Sequence, residues 1–313
     1  METRAIGSLT VSLVGLGCNN FGTRNSEEES AAVVHAALDA GITLFDTADM
    51  YGNTRSEQFL GKALGQRRGD VVIATKFGGE LKAEGSGGGS ARWVRTAAED
   101  SLRRLGTDVI DLYQLHFPDP KVPIEETMGA LNELVEAGKV REIGSSNFTG
   151  EMIDEAARTS EAKGWHPFVS VQNHVSLLHQ EGLADDLLPA ADRHGLAVLP
   201  YFPLANGLLT GKYRHDQALP EGTRLANMPE AWRSKVVTDE SWAAVERLER
   251  WAAERDHTIL ELAFAWLAAF PQIPSVIAGA TRPEQVKANV DAVAWTLSPA
   301  ERDEVGALAA GRD

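Results

Sequence analysis

Short apolar runs and amphipathic segments alternate along most of this chain. The apolar runs are rich in β-branched residues, which is typical of buried strands, and the segments between them repeat apolar positions at helical spacing. Strands are predicted at residues 11–16, 42–46, 71–76, 109–116, 140–146, 168–173, 196–201 and 275–278. Helices are predicted from Ser26, at residues 56–64, 91–105, 124–137, 151–162, 182–194, 240–256, 260–270 and 283–293, and from Pro299.

The order of these elements predicts the fold class. Strands that alternate with helices indicate a parallel α/β sheet, and eight such units without a compositional break fit one closed (β/α)8 barrel of the TIM type, a single domain over residues 1–313. Residues 1–10 predict an N-terminal β-hairpin, and the last helices are C-terminal extras to the barrel. The glycine-serine run at 85–90 is interpreted as a surface loop, and the polar segment 205–238 interrupts the alternation.

A glycine pattern after the first barrel strand invites another interpretation. Gly15 and Gly17 match the start of a dinucleotide-binding fingerprint, but Asn20 stands at the third glycine position. No acidic residue follows a second strand at the required distance. The pattern therefore favours the barrel over a Rossmann fold.

Composition limits the partners and the compartment. The net charge of −15 argues against a nucleic-acid or anionic-membrane partner. Cys18 is the single cysteine, so no disulfide can form within the chain and a reducing cytoplasm is expected. We find no signal-peptide pattern at the start, and the longest apolar run, 259–270, is too short to span a bilayer. The acidic surface favours a monomer.

The candidate chemistry lies at the carboxyl ends of the predicted strands, where (β/α)8 barrels carry their active sites. The second strand ends at Asp46 with Tyr51 in the loop beyond it, the third ends at Lys76, and the fourth ends at His116. A buried carboxylate requires a cationic partner. A tyrosine, with an unperturbed pKa of about 10, requires a nearby cation to donate a proton near neutral pH. Neighbouring strands can bring these residues to one point, with Lys76 lowering the pKa of Tyr51.

Five motifs resemble those of the aldo-keto reductase superfamily in their order and spacing: LFDTADMYG, IATKFGG, IDLYQLH, REIGSSNF and GLLTGKY. The similarity extends from about residue 4 to 300. It implies a reductase that transfers hydride from NADPH, with NADH possible, to a small-molecule aldehyde or ketone. Negative charge then builds on the carbonyl oxygen. Tyr51 would protonate that oxygen, Asp46 would hold Lys76, and His116 would orient the carbonyl.

The resemblance also implies a cofactor site on the later strands. Ser146, Asn147 and Gln172 would hydrogen-bond the nicotinamide carboxamide, and Tyr201 would stack on the ring. A segment over the pyrophosphate would comprise Phe202, Pro203, Leu204, Asn206, Gly207, Lys212 and Arg224. At the start of the last barrel helix, Gly279, Thr281 and Arg282 would form a phosphate site, and Gln285 and Asn289 would contact the adenine. Solvated surface charge is the alternative for Lys212 and Arg224.

Three positions depart from the family pattern, and one of them, Ala278 in place of a frequent proline, has no expected consequence. Phe202 stands where the family often has a small hydroxyl residue, which would remove a cofactor contact. Gln285 stands where some relatives carry arginine, so Arg282 is the candidate for the 2′-phosphate. Preference for NADPH over NADH is therefore a hypothesis.

Four aromatic residues near strand ends are predicted to wall an apolar substrate pocket, with packing in the core or on the surface as the alternative: Phe21, Phe77, Trp93 and Phe117. No metal site is predicted, because the histidines are scattered and the pair His174 and His179 lacks zinc-ligand spacing.

A second function, from another class, rests on the same resemblance. The segment 203–224 and the motif GATRPEQVKAN are most similar to the branch that includes the potassium-channel β-subunits, some of which hold NADP(H) and act mainly as partners. The chain begins almost at the barrel, and we expect no channel-docking extension. The sequence therefore favours an enzyme over a regulatory protein.

Overall fold

The computed structural model of the protein describes residues 1–79 and 87–312. The strands in this part are β1 Thr3–Ile6, β2 Leu9–Ser12, β3 Val14–Gly17, β4 Leu44–Asp46, β5 Val72–Phe77, β6 Ile110–Leu115, β7 Val140–Ser146, β8 Ser170–His174, β9 Ala197–Tyr201 and β10 Val276–Gly279. The α-helices are α1 Glu27–Asp39, α2 Arg55–Leu64, α3 Ala91–Leu105, α4 Ile124–Glu136, α5 Gly150–Lys163, α6 Leu188–His194, α7 Glu230–Val236, α8 Asp239–Ala253, α9 Ile259–Ala268, α10 Pro283–Asp291 and α11 Pro299–Ala309.

Strands β3 to β10 form one parallel sheet of eight strands. Each strand from β3 to β9 pairs with the next one in sequence, and β10 returns to pair with β3, where Val276 lies opposite Val14. Strand β9 lies against β10, so the ring is nearly closed. The predicted (β/α)8 barrel is thereby confirmed.

Alternation along each strand divides the side chains between two cores. On β5, Val72 and Ala74 belong to the cluster inside the barrel, whereas Ile73 and Phe77 pack in the larger cluster between the sheet and the helices. Lys76 shares the inward parity of Ala74. Polar residues at the inward positions of strand ends therefore meet at the centre of the carboxyl-terminal face.

The N-terminal hairpin, β1 and β2, covers the opposite end of the barrel and confirms the predicted hairpin. Its apolar residues Ile6, Leu9 and Val11 belong to the same buried cluster as the inward side chains of the barrel strands. The turn is fixed to the barrel because the Ser8 amide donates a 2.7 Å hydrogen bond to the Glu142 carboxylate. The carboxyl-terminal face is the end left for ligands.

Helix ends follow the sequence signals, with one helix unforeseen. Ser26 and Glu29 form the predicted capping box at the start of α1. Helix α7 lies inside the polar segment 205–238 and buries none of its residues, so it has no apolar stripe to mark it. Of the predicted loop at 85–90, residues 85 and 86 lie outside the described residues. No helix in the described ranges combines the length and apolarity needed to cross a membrane.

Candidate active site

A cavity of about 930 Å³ opens at the carboxyl-terminal face of the barrel. Asp46, Tyr51 and His116 line it, and Lys76 lies fully buried behind them. Every residue predicted for the cofactor also lines this cavity, from Ser146 on β7 to Asn289 on α10. The structure thus brings the predicted catalytic and cofactor residues to one place.

Lys76 and Asp46 form a buried ion pair at the base of the cavity. The Lys76 Nζ lies 2.7 Å from each Asp46 carboxylate oxygen and donates a further 2.9 Å hydrogen bond to the Thr47 carbonyl. Burial lowers the pKa of Lys76, but the charges of Asp46 and Tyr51 and the hydrogen bonds to both together outweigh that effect and raise the pKa. Lys76 is therefore held as an ammonium, the cation that a buried carboxylate requires.

Tyr51 lies directly beside this ammonium. The Lys76 Nζ is 5.2 Å from the centroid of the Tyr51 ring. Burial raises the pKa of Tyr51 above 10, and the charge of Lys76 and its hydrogen bond with Tyr51 lower it only in part. The predicted effect of Lys76 has the expected sign, but burial is larger. The phenol consequently remains protonated across the neutral range.

His116 is a neutral imidazole at the edge of the cavity. Burial, and secondarily the Lys76 charge, lower its pKa from 6.5 to about 3. Its ring meets the Tyr51 ring edge-on, with centroids 5.7 Å apart, and stacks on Phe117 at 4.4 Å. At physiological pH His116 can donate or accept a hydrogen bond but carries no charge.

Amide and hydroxyl groups form a connected network beside the ion pair. Gln172 Nε2 donates 2.9 Å to Asp46, and Asn147 Nδ2 donates 3.0 Å to the His116 carbonyl. The Tyr201 hydroxyl donates 2.8 Å to the Asn147 side-chain oxygen, and Ser146 Oγ donates 2.8 Å to the Gln172 carbonyl. This network links the ends of β4, β7, β8 and β9 and fixes the Tyr201 ring at the cavity wall.

Four cations along the cavity have no acidic partner. Within residues 1–79 and 87–312, no carboxylate lies at ion-pair distance from Arg24, Lys212, Arg224 or Arg282. Arg282 is exposed at the start of α10, while the Gln285 side-chain oxygen accepts 2.7 Å from the Thr281 amide. These cations are therefore available to an anionic ligand.

The structure corrects the predicted aromatic wall. Phe117 lines the cavity and is 44% exposed, but Phe21, Phe77 and Trp93 are buried in the cluster between the sheet and the helices. Phe77 follows Lys76 directly, so it must point to the opposite side of β5. The alternative of core packing applies to these three residues.

Sequence reasoning missed several lining residues. Asn19, Asn20 and Arg24 follow β3, and the rule of strand ends, applied to the first barrel strand, would have found them. Trp232 lines the mouth from α7 and is 68% exposed, a position that no sequence pattern indicated.

Behind the Tyr51 loop, Asp49 is a fully buried carboxyl whose oxygens have no hydrogen-bond partner in the described part of the chain. Its amide donates 3.0 Å to the Lys76 carbonyl. Burial, and then the Glu57 charge, raise its pKa from 3.8 to about 7. The folded protein therefore holds a proton on Asp49 that the unfolded chain releases.

Replacing Asp49 by asparagine should remove a pH-dependent loss of stability. Between about pH 4 and 7 the folded state binds more protons than the unfolded state at this position, so wild-type stability falls as pH rises. The free energy of unfolding of Asp49→Asn should therefore rise relative to that of wild type across this window, and the difference should reach on the order of a few kcal/mol above pH 7. Urea unfolding at pH 4.5, 6 and 8 measures it, with exposed Asp108→Asn as the control. Parallel pH curves for wild type and Asp49→Asn would exclude this account.

Comparisons with known proteins agree with this arrangement. The model of the aldo/keto reductase family matches residues 13–310. The chain is 35% identical over 309 residues to aldo-keto reductase YhdN of Bacillus subtilis, covering 96% of this chain and 90% of that protein. It is 32% identical to a probable voltage-gated potassium channel subunit beta of Arabidopsis thaliana, covering 94% and 91%. The glycerol dehydrogenase AKR11B4 structure from Gluconobacter oxydans superposes with a TM-score of 0.82 at 31% identity, covering 99% and 95%.

Proposed function

The chain belongs to the aldo/keto reductase family and is an oxidoreductase, and we propose that it reduces aldehydes or ketones to alcohols with NADPH, with Tyr51 as the proton donor. One observation carries this proposal. A protonated tyrosine lies beside a buried ammonium that is fixed by a carboxylate, at the base of a cavity lined by amides, an aromatic ring and unpaired cations.

The residues of the cavity fit a nicotinamide dinucleotide. Lys212, Arg224 and Arg282 supply positive charge without acidic partners in the described ranges, as phosphate groups require. Asn147 and Gln172 supply amide groups for a carboxamide, and Tyr201 supplies a flat ring. When bound there, the dinucleotide would supply the hydride.

The chain's own groups would manage the proton and the developing charge. Tyr51, protonated at neutral pH, would donate its phenolic proton to the carbonyl oxygen as negative charge accumulates there. Lys76 would stabilise the phenolate that remains, and Asp46 keeps Lys76 charged and in place. Neutral His116 would hydrogen-bond the same oxygen and orient the carbonyl.

The choice of NADPH over NADH rests on the start of α10. Arg282 lies exposed there, at the N-terminal end where unpaired backbone amides favour an anion. Gln285 does not supply an equivalent charge, because its side chain is a neutral amide, whose oxygen accepts from the Thr281 amide and hydroxyl. Arg282 is thus the proposed contact of the 2′-phosphate.

The proposal is tested by adding carbonyl compounds to the protein and NADPH and measuring the loss of NADPH absorbance as the cofactor is oxidised. We expect turnover of NADPH with members of a panel of aromatic aldehydes, dicarbonyls and simple ketones, and slower turnover with NADH at subsaturating cofactor. Equal affinity for NADH and NADPH would remove the assigned role of Arg282.

The same measurement distinguishes an enzyme from a second candidate function, that of a regulatory protein. The similarity to a probable potassium channel subunit beta favours, as the second candidate, a protein that binds NADP(H) and acts mainly on a partner. Tight NADPH binding without turnover of any carbonyl in the panel would support that candidate. It would leave the cavity's binding role intact and remove the catalytic one.

A further inference from the structure

Phe202, the residue that follows the ring of Tyr201, has an unusual backbone conformation. Its φ is +52°, in the left-handed region that bulky side chains rarely adopt. Such a conformation costs free energy and persists where surrounding contacts enforce it, most often at binding sites. This conformation places the Phe202 ring in the cavity wall.

The contacts of this ring are aromatic and cationic. The Phe202 ring meets the Tyr201 ring edge-on, with centroids 5.3 Å apart and planes at 82°, and meets the His174 ring at 5.6 Å and 84°. The Arg224 guanidinium carbon lies 4.8 Å from the centroid of the Phe202 ring. Phe202 therefore joins the end of β9 to a cation of the long segment 205–238.

Arg224 needs such a partner. It is half-buried and lines the cavity, and no carboxylate in the described part of the chain neutralises it. Burial, and then the charge of Arg24, lower its pKa, so its surroundings oppose the charge. An aromatic face attracts a guanidinium without cancelling its charge, whereas a carboxylate would compete with an incoming anion.

We propose that Phe202 is a positioning residue that holds the Arg224 guanidinium over the cavity, charged and unpaired, to bind a phosphate of the dinucleotide. The inference rests on the proposed function, because it assumes an anionic cofactor in this cavity. It gives Phe202 a role that a small hydroxyl residue at this position could not fill. A hydroxyl residue would hydrogen-bond the cofactor directly, whereas the aromatic ring acts on the cofactor through the Arg224 guanidinium that it positions.

A double-mutant cycle tests this link. Calorimetry would measure the NADPH dissociation constant for wild type, Phe202→Leu, Arg224→Gln and the double variant. Leucine keeps a Cβ, and so the same backbone constraint, but has no aromatic face.

We expect Phe202→Leu to weaken NADPH binding about three- to tenfold. Arg224→Gln should weaken it more, and the double variant no further than Arg224→Gln, because both changes remove one interaction. Phe202→Tyr should restore wild-type affinity, and Phe202→Met offers a second non-aromatic variant should Phe202→Leu fold poorly.

A matched control exists in the same chain. Arg302 lies 4.7 Å from the centroid of the Phe270 ring, a pair of similar geometry whose residues do not line the cavity. Phe270→Leu should leave NADPH affinity unchanged. Additive losses in the double variant, or unchanged affinity in Phe202→Leu, would overturn the inference alone. A wild-type protein that binds no NADPH would overturn the proposed function and this inference with it.

Discussion

Tyr51→Phe should slow carbonyl reduction by at least about 10²-fold and leave NADPH binding nearly unchanged. The substitution removes the phenolic proton but keeps the ring that contacts His116 and faces the Lys76 ammonium. Loss of a positioned general acid typically lowers rates by about 10²- to 10⁴-fold. Turnover with the best carbonyl of the panel and the NADPH dissociation constant, measured on the same preparation, separate the two effects.

Tyr113→Phe is the matched control for this change. Tyr113 is fully buried, lies outside the cavity lining, and has a hydroxyl without a hydrogen-bond partner in the described residues. Its conversion to phenylalanine should leave turnover unchanged. A Tyr51→Phe variant that retains wild-type turnover would show that another group protonates the product.

Lys76→Met should cost both stability and activity. Methionine fills a similar volume but leaves the Asp46 carboxylate buried, with Gln172 as a remaining side-chain donor. Removing one partner of a buried ion pair typically destabilises a protein by about 3–5 kcal/mol, because the other charge stays desolvated. Turnover should collapse as well, since no ammonium would stabilise the Tyr51 phenolate.

Urea unfolding and turnover measure the two losses, and a second variant separates them. Lys76→Met combined with Asp46→Asn removes both charges and should recover part of the stability but no activity. Lys287→Met, which breaks an exposed pair with Asp291 on α10, should change stability by less than about 1 kcal/mol. Equal effects of Lys76→Met and Lys287→Met would contradict the importance of the buried pair.

The sequence was informative wherever a local rule has one structural outcome. Strand and helix periodicity predicted the barrel, and its topology predicted that Asp46, Lys76 and His116 would meet at one face. The alternation of side chains between the two faces of a strand could also have been used. It would have excluded Phe77 from the pocket once Lys76 was placed inside the barrel. That error came from using proximity in sequence without side-chain direction.

Other features depended on packing that no local pattern encodes. The pKa of Tyr51 reflects a balance between burial and the Lys76 charge, and the depth of burial follows only from the assembled barrel. Helix α7 buries no residue and Trp232 is exposed, so neither leaves a hydrophobic pattern. The positive φ of Phe202 could not be predicted either, because phenylalanine rarely adopts the left-handed region.

The pairing of β3 with β10 has a consequence for how the chain matures. Val14 and Val276 lie near opposite ends of the sequence, yet they are neighbours in the sheet. During synthesis from the N-terminus, β3 has no partner on that side until the last barrel strand has left the ribosome. A nascent chain that stops after β9 exposes two unpaired sheet edges, which are sites of aggregation. The ring therefore makes completion of translation a condition for a protected sheet.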